Sequence, residues 1–405
     1  MKKRYQHRYI PIFILLVSFL LNFISWGSRQ FCDFYALHVL PIWVNTLGRF
    51  SSLFSFSIGE LMLLLGLLIL IGAVIFCILS IFLWLFFRQT TFFQKIKKKG
   101  KLFFVAFTYL VSVVYLIMTL NCFILYHTSE FHSSYLFNKQ ATDKEQLSDS
   151  RDDMLRKERL SQNRSYTFDE LVKVRNFVVE KANELSAQIK RDDTGTIIDT
   201  NSMEDTAIAS MQNLGKEYGQ LSGYYPLPKK LLFSGFISQQ KMLGYYFPFS
   251  MEANYNSIMC IMNKPSTMCH ELAHVRGYLR EDEANFIGYL ACVHSNDLMF
   301  QYSGYLSVLY YLDNDLYKNL GKNRELYSQY PSILPQVKED NRFLTDETWN
   351  TVEEKSLLKT EVVSKYADEF IETNLVAHGI ADGALSYHRV VELLLEYYDN
   401  GAIDD

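Results

Sequence analysis

No CxxC pair occurs among the six cysteines, Cys32, Cys77, Cys122, Cys260, Cys269 and Cys292, which excludes a finger-type or ribbon-type structural zinc site. The chain also lacks a glycine-rich phosphate loop, an internal repeat and any nucleic-acid module, so nucleotide chemistry, solenoid architecture and nucleic-acid partners drop out. A formal net charge of −4 over 405 residues says little about partners. Local absence of charge says more. Leu61–Phe87 is 27 residues and Leu102–Tyr126 is 25 residues without a charged side chain. A third apolar run, Tyr9–Trp26, spans 18 residues and contains Pro11 and Asn22. Each is long enough to cross a hydrocarbon core of about 30 Å, and no soluble helix needs 27 uncharged, mostly bulky apolar residues. The first run follows a basic start but is long for a signal peptide, and no A-x-A-like cleavage site follows it.

Lysine and arginine are unevenly placed around these runs. Lys2, Lys3, Arg4 and Arg8 precede the first, and Arg88, Lys95, Lys97, Lys98, Lys99 and Lys101 lie between the second and third. Only Arg29 and Arg49 separate the first from the second. The positive-inside rule then puts the N-terminus in the cytoplasm and everything after Tyr126 outside the cytoplasmic membrane. The basic cluster at 95–101 is also suited to anionic lipid. The aromatic-rich segment Phe31–Phe56 is expected at the outer interface. The sequence therefore divides into a transmembrane region (1–126, with helices at about 9–26, 61–87 and 102–126), a polar juxtamembrane linker (127–166) and an outer domain (167–405).

In the outer domain a capping box, Thr167-Phe168-Asp169-Glu170, opens a helix with an apolar face of Leu171, Val174, Val178, Leu185 and Ile189. A second amphipathic helix is expected over about Glu204–Leu221. After Pro228 the pattern shortens. Lys230–Ile237, Leu243–Phe249 and Tyr255–Met262 read as strands, with Tyr255–Met262 as the edge strand that would hold an extended substrate. Glu252, Asn254 and Asn256 lie near its start, either lining a cleft or as solvated turn groups. Everything after Glu281 reads as helical, ending with Ser386–Asp399.

Asn263-Lys264-Pro265 punctuates the chain just before Cys269-His270-Glu271-Leu272-Ala273-His274, an HExxH motif. Chance would produce HExxH in a chain of this length and composition roughly once in a hundred. On a helix His270 and His274 lie one turn apart on one face and can aim at one point. Two imidazoles and one carboxylate make a catalytic zinc site with the fourth position left for water. Glu271, about 100° around the helix from His270, stands beside that point, where a general base takes a proton from the water. Thr267, Met268 and Val275 fit the extended zinc-peptidase pattern, while Arg276 stands where an apolar residue is usual.

A third donor must come from beyond a turn. On an unbroken helix Glu281 would lie roughly 10 Å past His274, so the chain must fold back, and Gly277 is where it can. A second helix starting near Glu281 has a small or polar face of Glu281, Ala284, Asn285, Gly288 and Cys292, which permits close approach. Glu283 lies instead with Phe286, Ile287 and Leu290. Glu281 is the favoured ligand with Glu283 as the alternative, and Asn285 is expected to hold a histidine from behind. Cys269 and Cys292 sit on the two adjoining helices, more naturally as small buried thiols than as a disulfide. Tyr387 and the tyrosines at 302–311 are weak candidates for stabilising an oxyanion, and His294 falls off the Glu281 face.

These residues resemble an uncharacterised bacterial membrane family, a domain of unknown function, whose members look like zinc metallopeptidases. The resemblance rests on the N-terminal apolar helices, Tyr246-Phe247-Pro248-Phe249 before Glu252-Ala253-Asn254, the Cys269–Gly277 block, Glu281-Asp282-Glu283-Ala284-Asn285-Phe286, Tyr289-Leu290-Ala291-Cys292 and Ser386-Tyr387. More remotely, Glu281, Ala284 and Asn285 are similar to the gluzincin pattern, in which that Glu is the third zinc ligand. The resemblance implies a zinc-dependent peptidase and supplies no substrate.

The expectation is a mainly α protein: three N-terminal transmembrane helices carrying an α+β zincin-like outer domain with a small sheet and the HExxH helix. Zn²⁺ is the expected cofactor, held by His270, His274 and Glu281 with Glu271 as base. The expected partners are the lipid bilayer and a peptide or protein substrate outside it, with no nucleic acid. The rival readings are a non-catalytic zincin-like receptor and a structural membrane protein with a fortuitous HExxH.

Overall fold

Three helices long and apolar enough to cross a membrane head the computed structural model, which describes residues 9–87, 89–131, 166–199, 201–377 and 389–399. The apolar stretches are Ile10–Gly27, Ile58–Phe86 and Gly100–His127, close to the runs expected from sequence, and most of their side chains are uncovered. So much exposed Leu, Ile and Phe suits a lipid solvent rather than water. The chain forms two units. The first comprises Met1–Thr128 with Phe247–Glu252, and the second Ser129–Tyr246 with Ala253–Asp405.

In the first unit α1 (Ile10–Gly27) packs against α3 (Thr91–Met118), and α2 (Ile58–Phe87) also meets α3. Asn22, the polar residue inside the first apolar run, is satisfied: its Nδ2 donates to Ser18 O at 2.9 Å and to Thr119 Oγ1 at 2.8 Å. The segment Arg29–Ser51, which overlaps most of the expected interfacial stretch, is helical, with wide turns at Tyr35–Val39 and Val44–Gly48. It buries Cys32, Tyr35, Leu40 and Val44 and exposes Phe34, Leu37, Ile42 and Phe50. Glu252 is fully buried in this unit, at the start of α2. Its carboxylate accepts from the backbone N–H groups of Ile58 (3.0 Å) and Gly59 (2.7 Å), which have no partner within the helix. Ser250 Oγ donates to the same carboxylate at 2.7 Å.

The second unit is mostly helical. The Thr167–Glu170 capping box opens α4 (Phe168–Gln188), which buries Leu171, Val174, Val178 and Leu185. Next comes α5 (Met203–Glu217), then a sheet in the order β1–β3–β2, comprising β1 (Lys229–Lys230), β2 (Gly244–Phe247) and β3 (Glu252–Tyr255). β1 runs parallel to β3, pairing Lys229 with Asn254 and Lys230 with Tyr255. Helices α6 (Ser234–Gln239, between β1 and β2), α7 (Lys264–Val275), α8 (Glu281–Val293) and α9 (Leu298–Asn319) complete the part that builds the site. They are followed by α10 (Asp346–Lys355), α11 (Thr360–Ala377) and α12 (Val390–Tyr397).

The second expected strand is present at Gly244–Phe247, and the other two are corrected. Of the first, Lys230–Ile237, only Lys230 is strand, paired with Lys229 in β1; Ser234–Gln239 turns helical, leaving Leu232, Phe233 and Phe236 half or more exposed. That run is rich in β-formers, but it packs against α10 and α11 rather than against another strand, and it packs there as a short helix. The third strand lies earlier, at Glu252–Tyr255, and is central rather than an edge, while Ile261–Asn263 is a helical turn. Asn254 and Asn256 are buried and structural, with their Nδ2 groups donating to Tyr245 O (3.2 Å) and Ser238 Oγ (2.8 Å). With Glu252 at the helix start, none of the three polar residues lines a cleft.

Candidate metal centre

Helix α7 begins with Pro265 in its first turn, where a missing N–H costs nothing. It buries Met268, Cys269, Leu272, Ala273 and Val275. It ends at Val275, capped by Arg276, and the next residue is Gly277, whose φ of 96° is open to a residue without Cβ. The Gly277 N–H donates to His274 O at 2.9 Å and the Tyr278 N–H to Ala273 O at 3.3 Å, the two bonds of a Schellman motif. The chain reverses there, and α8 starts at Glu281.

The reversal is what brings the donors together. His270, His274 and Glu281 offer ligand atoms within 4.8 Å of one another, a group found among the described residues without Glu283. His270 Nε2 lies 3.2 Å from Glu281 Oε2, and His274 Nε2 lies 3.8 Å from Glu281 Oε1. Two donors at about 2.1 Å from a tetrahedral zinc would stand about 3.4 Å apart, so this donor set fits the ion in chemistry and in spacing. Close helix packing makes this possible. A Cβ on Gly288 would lie 3.1 Å from His270 N and 3.3 Å from Ser266 O. Ala284, Cys269 and Cys292 are fully buried, and both cysteines are free thiols.

Each histidine is held from behind. His274 Nδ1 lies 2.7 Å from the Tyr278 carbonyl, which can only accept, so Nδ1 carries the proton and Nε2 is left for the donor cluster. The Asn285 side chain stands close enough to His270 to favour its charged form. Burial works against charge on His270, but Glu281 outweighs it and raises the imidazole's pKa. Burial likewise opposes charge on Glu281, and the two histidines more than offset it, holding the carboxyl below its usual range. Burial, then His270, push His274 down to about 4.

Glu271 is buried, and its Oε2 has no hydrogen-bond partner among the described residues. Burial without a partner pushes its carboxyl up to about 8, against the pull of His270. A buried carboxylate oxygen left without a partner is costly unless something else occupies its surroundings. The other side of Glu271 rests on edge strand β2. A Cβ at Gly244 would fall 2.5 Å from Glu271 Oε1 and 2.8 Å from Asn254 O. Neither Gly244 nor the Tyr278 carbonyl stands out in the sequence, because a missing side chain and a backbone oxygen leave no motif.

The alternative ligand turns elsewhere. Glu283 Oε1 accepts from the Phe131 backbone N–H, and burial, against the pull of Arg280, pushes its carboxyl up to about 8. His294 bonds the Tyr397 hydroxyl at 2.9 Å, and Tyr302 is engaged with Asp340 at 2.8 Å. Tyr311 is the tyrosine of that group whose phenol, raised first by burial, also feels the charge of Glu281. Tyr387, Ser386 and most of the linker lie outside the described residues.

Over residues 35–164 and 155–395 the chain matches the family described as Protein of unknown function (DUF3810), and it belongs to that family. Comparison with curated proteins and with solved structures gives no match.

Proposed function

We propose that this protein is a membrane-anchored zinc metallopeptidase with a zincin-like domain, hydrolysing peptide bonds outside the cytoplasmic membrane. The observation that carries the reading is one constellation: His270, His274 and Glu281 converging, with the buried and unpartnered Glu271 Oε2 beside them. A pure binding module has no use for that last group.

His270, His274 and Glu281 would hold the ion. Bound there, zinc supplies Lewis acidity that lowers the pKa of a water toward about 7 and polarises the scissile carbonyl. Glu271 takes the proton of the attacking water and returns it to the leaving amine. Asn285 and the Tyr278 carbonyl keep the two imidazoles aimed. The extended substrate pairs with β2, a reading supported by the edge position of β2 and by the contact of Gly244 with Glu271. The lysine and arginine asymmetry around the apolar runs supports the outward orientation.

The test uses the full chain in detergent. The protein should carry about one zinc, His270→Ala and His274→Ala should lose it, and Glu271→Gln should keep it while losing cleavage of a peptide library. Cleavage by Glu271→Gln at the parent's rate would refute the mechanism. A C-terminal reporter that works only in the cytoplasm should stay silent.

A further inference from the structure

The residues on either side of Glu281 are gripped by segments far away in sequence. Arg280 pairs with Glu130, Glu283 accepts from the Phe131 N–H, and Asp282 Oδ2 meets Arg389 Nε at 3.2 Å. Glu130 and Phe131 follow the third apolar stretch by only a few residues, since that stretch ends at His127. Phe131 is 1% exposed. Its ring lies 5.2 Å from Tyr218, 5.3 Å from Tyr278 and 6.4 Å from Phe286, centroid to centroid. One residue thus touches both halves of the metal framework. Its ring supports Tyr278, whose carbonyl aims His274, and its backbone N–H holds the first turn of α8, which carries Glu281.

Filling an apolar socket alone would not need that N–H, and pairing Glu283 alone would not need the ring. We infer that Phe131, assisted by Glu130, is a positioning residue for the metal centre, through which the segment leaving the third apolar helix fixes Glu281 and His274. The inference rests on the zinc reading above. Without the Phe131 ring, Tyr278 loses its neighbour and the backbone N–H that Glu283 accepts from loses its anchor, and the first turn of α8 gains freedom to carry Glu281 away from His270. Groups that support ligands from behind typically contribute about 10–100-fold to metal affinity.

The experiment measures zinc affinity of the full chain in detergent by competition with a chromophoric chelator, together with the visible spectrum of the Co²⁺-loaded protein. Phe131→Ala should weaken zinc by about 10-fold or more and shift the Co²⁺ bands. Phe131→Leu should recover part of the loss, and Glu130→Gln should lose less. Phe177→Ala, whose ring packs on Tyr305 and Tyr398, should lower Tm and leave zinc affinity alone. Parental affinity and spectrum in Phe131→Ala overturn the assignment, as does an equal loss in Phe177→Ala. Should Phe131→Ala fail to fold, Phe131→Leu and Glu130→Gln decide: a clear loss in affinity supports the assignment, and parental affinity in both overturns it. A folded parent that binds no zinc removes the metal reading and this inference together, whereas a zinc-binding parent matched by Phe131→Ala removes the inference alone.

Discussion

Gly244→Ala is the sharpest perturbation because one added carbon meets the base and the backbone at once. Gly244 does not have positive φ, so alanine brings no conformational penalty and the effect is steric. The new Cβ would sit 2.5 Å from Glu271 Oε1, so the carboxylate must retreat by about 1 Å to reach ordinary contact. It would also sit 2.8 Å from Asn254 O, which is main chain of the neighbouring strand and yields only if β2 and β3 separate. Overpacking of this kind costs about 1–3 kcal/mol, partly offset by the 0.4–1 kcal/mol or so that alanine removes from the unfolded chain's entropy. A net loss of about 1–2 kcal/mol corresponds to roughly 2–8 °C in Tm for a unit of this size. None of the three metal donors is touched, so zinc affinity should stay within about twofold. A shift of about 1 Å in a catalytic group can cost on the order of 100-fold in rate, so peptide-library cleavage should fall by about that factor. Thermal unfolding, metal analysis and cleavage of one preparation make the assay. Parental Tm in Gly244→Ala would refute the packing argument, and an unchanged rate with a lowered Tm would remove Glu271 from the chemistry.

Substitutions at three further positions probe other parts of the framework. Gly288→Val should push α8 off the backbone of α7 and weaken zinc, with Gly288→Ala milder because its Cβ contacts lie at 3.1–3.3 Å; chelator competition reads both. Glu252→Ala should destabilise the full chain in detergent by about 1–3 kcal/mol, because the N–H groups of Ile58 and Gly59 lose their acceptor, as measured by denaturant unfolding. Arg175→Met should cost about 3 kcal/mol by leaving Asp313 without its buried partner at 2.7 Å, and zinc affinity should be unaffected.

The parts of the fold that were readable in the sequence depend on composition or local spacing. Uncharged runs need no tertiary context to be recognised, and their ends fell within a few residues of the apolar stretches. The Thr167–Glu170 box is a four-residue device and forms as read. The convergence of His270, His274 and Glu281 follows from helical geometry plus one glycine, and the small face of α8 announces close packing. The sheet was harder. The stretch around Leu231–Ile237 carries strand-forming side chains, yet Ser234 Oγ bonds Leu231 O at 2.7 Å and a short helix results. The sequence leaves Glu252 open between a cleft residue and a solvated turn group, because its partners are main-chain donors nearly two hundred positions away. Phe131 gave no signal for the same reason: a backbone N–H leaves no trace in the letters.

The tight turn at Gly277 also bears on how the centre assembles. All three donors and the base fall inside residues 270–281, a window of twelve. Closing a loop of that length costs about 2 kcal/mol less than closing one of a hundred residues. Metal capture by the proposed centre therefore needs only one helix–turn–helix to form, and it can precede the long-range docking of residues 130, 131 and 389. Loading would then be an early, local event in the maturation of the chain, and precise aim a late one.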